Sequence, residues 1–85
     1  MKHYKIEANP NISETCKTYI INNLSATDSS DEYSVYALDY VLETLGDELS
    51  QNNGEDIFGI SQKDLNEIEN LLFKQKIDFI EFQYN

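Results

Sequence analysis

The sequence predicts an α+β domain in which three helices pack on a small sheet formed by the N- and C-terminal strands. Three observations carry this. Alternating apolar residues stand at both ends of the chain, helix-start signals stand at three interior positions, and no Pro/Gly linker or internal repeat divides the 85 residues. The expected order is β-α-α-(β)-α-β in one domain spanning residues 1–85. A 40% hydrophobic content suits a folded chain of this size, although the core lies near the lower limit of self-sufficiency.

Met1 to Glu7 reads as a strand with Tyr4 and Ile6 on one face, ended by Asn9-Pro10. Asn11 then reads as an N-cap, with Glu14 completing a capping box. Ile12, Cys16, Tyr19, Ile20 and Leu24 follow at helical spacing. Ser29 with Glu32 makes a second box and predicts a helix over Ser30 to Ser50, with Val35, Leu38, Leu42, Leu45 and Leu49 as its apolar stripe. Gly46 marks a weak point in that helix. Ile57 to Ile60 reads as a brief strand. Ser61 with Asp64 is the clearest boundary and opens a third helix, with Leu65, Ile68, Leu72 and Gln75 inward and Ile60 stapled onto Leu65. Ile77 to Tyr84 alternates as a strand with Ile80, Phe82 and Tyr84 on one face. Pairing of the terminal strands would gather Lys2, Lys5, Lys74 and Lys76 at one end of the sheet, away from the acidic segment.

Charge is the most informative functional signal. The chain carries a net charge of −10 and no arginine. Between Lys17 and Lys63 there is no cation, yet there are nine carboxylates: Asp28, Asp31, Glu32, Asp39, Glu43, Asp47, Glu48, Glu55 and Asp56. On a helical wheel Glu32, Asp39, Glu43 and Asp47 fall within roughly 80° of one another, centred more than about 100° from the leucines, with Tyr36 and Tyr40 in or beside that stripe. Like charges one turn apart cost a few tenths of a kcal/mol per pair. A cationic partner would relieve that cost.

Several function classes are excluded or disfavoured. Direct binding to nucleic acid or anionic lipid needs clustered cations, which are lacking. One cysteine and one histidine do not support a zinc site or a nucleophilic triad. An EF-hand loop starting at Asp28 would have Tyr33 where glycine is required and Asp39 where a bidentate glutamate belongs. No Gly-rich loop cradles phosphate, and no carboxylate pair sits in an apolar setting suited to acid-base work. No enzyme, metal or cofactor is therefore expected. Cys16 on an apolar face is expected to be a buried small hydrophobe. No segment reads as a signal peptide or membrane span, so a cytoplasmic location in a bacterial cell is expected, with no membrane partner.

The expectation that remains is a small acidic inhibitor covering the basic, nucleic-acid-binding surface of a bacterial defence nuclease, a task of anti-CRISPR and anti-restriction type. Its partner-binding residues would be Asp28, Asp31, Glu32, Tyr36, Asp39, Tyr40, Glu43, Asp47, Glu48, Glu55 and Asp56. The tyrosines would serve as apolar anchors. The alternatives are an immunity protein or antitoxin that neutralises a basic toxin, and a small acidic adaptor or regulatory subunit. A homodimer is compatible with the sequence.

Overall fold

The computed structural model describes residues 5–84. Strand β1 covers Ile6–Ala8, helix α1 Glu14–Asn23, β2 Asp28–Ser29, β3 Tyr33–Ala37, α2 Leu38–Gln51, α3 Gln62–Glu69 and β4 Phe79–Gln83. The four strands form one mixed sheet in the order β1-β4-β3-β2. As expected, the strands near the two ends pair, and they do so in parallel, with Ile6 opposite Phe79 and Ala8 opposite Glu81. Residues 1–4 of the expected first strand, Tyr4 and Lys2 among them, lie outside the described residues.

The largest correction concerns residues 30 to 37. They do not begin a helix. Asp28–Ser29 and Tyr33–Ala37 form a hairpin, and β3 pairs antiparallel with β4 from Tyr33 opposite Gln83 to Ala37 opposite Phe79. The segment Tyr33-Ser-Val-Tyr36 is rich in aromatic and β-branched residues, which fit a pleated surface. Without β3 beside it, β4 would have only the three residues of β1 as a neighbour. The supposed second capping box is the hairpin turn, where the Ser30 hydroxyl accepts the Glu32 N–H at 3.1 Å. Helix α2 starts directly at Leu38 and passes through Gly46 without interruption.

Two smaller differences concern caps and register. Ser13, not Asn11, caps α1, its hydroxyl accepting the Cys16 N–H at 3.2 Å. Ile57 to Ile60 is not a strand but a two-residue turn closed by reciprocal backbone bonds of 3.1 and 2.8 Å. Both central residues carry positive φ, +55° at Phe58 and +81° at Gly59, as a type I′ turn requires. Ser61 caps α3 in a complete capping box with Asp64, as the sequence predicts. A π-helical turn, Asn70–Lys74, follows α3. Its wider winding shifts the phase of the inner face, so Leu71 is buried, Leu72 is half-buried and Gln75 is exposed.

All three helices cover one face of the sheet. Cys16 and Ile20 of α1, Leu38, Val41, Leu45 and Leu49 of α2, and Ile60, Ile68, Leu71 and Ile77 pack with Tyr36, Ile80 and Phe82 in a single core. Val41 replaces Leu42 on the innermost row of α2, and Leu42 packs at its border. The helices alternate in direction. Tyr40 near the start of α2 meets Ser25 just after α1, whereas Ser13 before α1 and Ser61 before α3 both bond Asp64. The starts of α1 and α3 therefore share one end of the molecule, and α2 runs the other way.

The lysine end takes shape around Lys5. Its Nζ donates to the Gln75 carbonyl at 3.2 Å, between Lys74 and Lys76. The same end receives the start of α2, since Leu38 N–H donates to the Asp78 carbonyl, and Asp78 N–H in turn donates to the Lys5 carbonyl. The expected separation of charges is thus incomplete: Asp39 stands at the lysine end, and the acidic face leads away from it along α2.

Candidate functional site

Eight of the nine predicted partner-binding carboxylates fall into three groups. Asp39, Glu43 and Asp47 are exposed on the outer face of α2, opposite Val41, Leu45 and Leu49. Steps of four residues place them about 6 Å apart along the axis. No lysine or arginine occurs on α2, and its last turn carries Glu48 with no basic residue. Carboxylates at a helix C-terminus face the negative end of its dipole, which adds an unfavourable term of up to about 1 kcal/mol.

The second group is the β2–β3 hairpin. Asp28, Asp31 and Glu32 are exposed there, and Glu32 is not part of the α2 stripe that the wheel predicts for it. The Tyr33 hydroxyl donates to Asp28 Oδ2 at 3.2 Å. That bond and the Asp28 charge push the Tyr33 phenol above its ordinary value. Tyr84 N–H donates to the Glu32 carbonyl at 2.8 Å, so the hairpin turn stands at the far end of the sheet from Asp78 and Lys5.

The third group is Glu55 and Asp56 in the loop after α2, both exposed. Their backbone carbonyls accept bonds of 3.1 and 3.2 Å from the Asn52 amide. Glu48 belongs to none of these faces. It lies half-buried on the flank of α2 that meets α1, where burial first and then the Glu48 charge push the Tyr19 phenol up.

The tyrosine anchors require a correction. Tyr36 is 2% exposed and packs at 5.7 Å against Phe82, so it is a core residue and offers no contact surface. A helical period puts it outside, but the backbone there is extended. Tyr40 does remain exposed, with its hydroxyl accepting the Ser25 N–H at 3.4 Å.

One surface feature is not evident from the sequence pattern. Phe58, at the tip of the turn between α2 and α3, is 62% exposed and stacks on Tyr19 of α1 with ring centroids 5.8 Å apart and an interplanar angle of 11°. The pair borders an open groove of about 550 Å³ lined by Glu14, Thr15, Thr18, Asn22, Asn23 and Gly59. Ile57-Phe-Gly-Ile60, with two residues between isoleucines, is compatible with the shortest hairpin loop, but nothing in that pattern shows that the Phe58 ring is exposed.

Chemically, a set of exposed carboxylates of this kind attracts cations. The carboxylates of α2 and the hairpin are in solvent, not in an apolar setting that separates acid from base. Among the described residues, no group of three or more His, Cys, Asp or Glu is placed to hold a metal ion. Cys16 is fully buried, and burial first, then the Asp64 charge, pushes its thiol up to about 12. His3 lies outside the described residues. Among those described, no helix is long and apolar enough to cross a membrane. No protein-family model, curated protein or solved structure matches this chain.

Proposed function

We propose that the protein is a small acidic inhibitor that occupies the basic, nucleic-acid-binding surface of another protein, as a bacterial defence nuclease would present. The observation that supports this is the outer face of α2, where Asp39, Glu43 and Asp47 are exposed in succession on a helix without a cation. Two like-charge pairs one turn apart and an uncompensated C-terminal turn together cost the free protein on the order of 1 kcal/mol. Contact with a cationic surface removes that cost and adds attraction, giving fast association that weakens with salt.

Density of charge limits how closely the face imitates a duplex. From Asp39 to Asp47 the rise is about 12 Å, over which DNA offers ~7 phosphate charges. Three carboxylates fall short of this. The hairpin group, Asp28, Asp31 and Glu32, and the loop pair, Glu55 and Asp56, supply the remaining negative field. Inhibition then follows from competition for one basic surface without catalysis, metal or cofactor.

The test is capture of partners by the tagged protein from a bacterial lysate, with and without excess DNA, beside an Asp39→Lys, Glu43→Lys variant. The expected result is a nucleic-acid-binding protein that DNA displaces, that ~0.5 M salt releases, and that the variant no longer captures. The variant should remain folded: a lysine in place of Glu43 turns a repulsion with Asp47 into an attraction, which offsets part of the cost of a lysine in place of Asp39 in the first turn of α2. Circular dichroism of the variant checks this. Capture by the folded variant, or capture indifferent to DNA and salt, would overturn the proposal in favour of an apolar adaptor.

A further inference from the structure

We infer that the groove between α1 and the Ile57–Ile60 turn is a binding site for an arginine side chain of a protein partner, with Phe58 and Tyr19 as its stacking platform. The inference rests on the basic partner proposed above and assigns it a specific contact.

The conformation of Phe58 is the starting observation. Its φ of +55° lies in the left-handed region, where a bulky side chain is disfavoured and where asparagine or glycine is usual at this turn position. Such strain is ordinarily offset by burial. Here it is not, because the ring remains 62% exposed although it lies on Tyr19. A residue that suits neither the backbone nor the core points to a role for the exposed ring itself.

The turn that carries Phe58 is seated directly on α1. Thr15 Oγ1 donates to the Gly59 carbonyl at 3.0 Å, and a Cβ at Gly59 would meet the Thr15 Cβ at 2.7 Å. Gly59 thus permits both the positive φ and the close seat of the turn on α1. The two rings are nearly parallel, and preorganisation of this kind lowers the ordering cost of binding.

Charge and polarity identify the occupant. Glu14 lines the groove, and Glu48 lies close enough for its charge to act on Tyr19. Lys17, the one lysine of α1, does not line the groove, and its Nζ lies 5.7 Å from the Phe82 ring. An exposed aromatic face beside carboxylates and the amide of Asn22 matches a guanidinium, which stacks flat on rings and donates hydrogen bonds at its edges. A lysine ammonium, compact and strongly hydrated, fits a stacking platform less well.

The experiment is an NMR titration of the full chain with hexa-arginine, with hexalysine and with the citrulline counterpart of hexa-arginine. Hexa-arginine is expected to shift the ring resonances of Tyr19 and Phe58 and to bind more tightly than the other two. Phe58→Asn is expected to weaken it about fivefold or more. That variant installs Asn-Gly in the turn, so its fold is retained and a loss of binding reports on the ring. Equal binding of hexalysine, unchanged affinity in Phe58→Asn, or shifts confined to Asp39, Glu43 and Asp47 would overturn the inference. Those results would leave the α2 proposal standing on DNA competition. Conversely, ring shifts that persist in the Asp39→Lys, Glu43→Lys variant would uphold the groove even if partner capture had failed.

Discussion

Asp64 Oδ1 accepts the backbone N–H of Ser13 at 2.8 Å, across 51 residues of sequence. Its Oδ2 accepts the Ser13 hydroxyl at 3.0 Å, the Ser61 hydroxyl at 2.9 Å and the Ser61 N–H at 3.1 Å. One carboxylate therefore joins the N-caps of α1 and α3, at the positive ends of both helix dipoles. Burial pushes this carboxyl up, but the bonds from Ser13 and Ser61 together outweigh it and hold the group below its ordinary value.

Asp64→Asn is expected to lower stability by about 2–3 kcal/mol near neutral pH, because an amide leaves donors facing donors. A folded-state value below the unfolded one, about 3.9, stabilises the protein above that pH and loses the contribution as pH falls through the folded value. Urea titrations of both proteins should therefore show a gap that narrows below about pH 4. A gap of constant size down to about pH 3 would mean that the charge of Asp64 contributes nothing.

Cys16 should be inert in the folded protein. With its thiol pushed up to about 12, only about one molecule in ten thousand carries a thiolate near pH 8. An aromatic disulfide reagent is expected to label it only as fast as the protein unfolds, and promptly in guanidinium. Rapid labelling of the native protein would show that α1 opens locally.

Gly46 lies within α2, and a methyl group built there meets nothing within 4 Å. Gly46→Ala should raise stability by about 0.5–1 kcal/mol through helix propensity and reduced unfolded-state entropy. That corresponds to an increase of about 3–6 °C in Tm for a domain of this size. A decrease on thermal melting would reveal a contact of α2 that needs the bare backbone.

Much of this architecture can be read locally. Ser61 and Asp64 announce α3 because a capping box is complete within four residues, and Ile80 and Phe82 alternate clearly enough to give β4. The same logic misreads Ser29 and Glu32, since a serine followed by a glutamate at that spacing also suits a hairpin turn. Residues 33–37 are extended because β4 offers a partner about 45 residues later in sequence, a contact that no local window contains. That one misreading puts Tyr36 on the surface instead of in the core and Glu32 on the wrong element. Asp39, Glu43 and Asp47 are legible because their exposure depends only on the phase of one helix. Phe58 is not, because a lone phenylalanine in a short apolar run ordinarily lies inside, and a positive φ at a bulky residue leaves no mark in the sequence.

The place of β4 inside the sheet also sets an order of events in folding. This strand is the shared neighbour of β1 and β3, yet it is the last of the four to be synthesised. A nascent chain that ends before Phe79 can form helical segments and the short β2–β3 hairpin, but it has nothing to join Ile6–Ala8 to the rest. Closure of the domain waits for a contact between residues separated by more than 70 positions, the kind of late, non-local pairing that slows folding. During that interval Tyr36, Ile20 and Leu45 are without their cover, and the large negative charge of the chain keeps neighbouring copies apart until the final strand arrives.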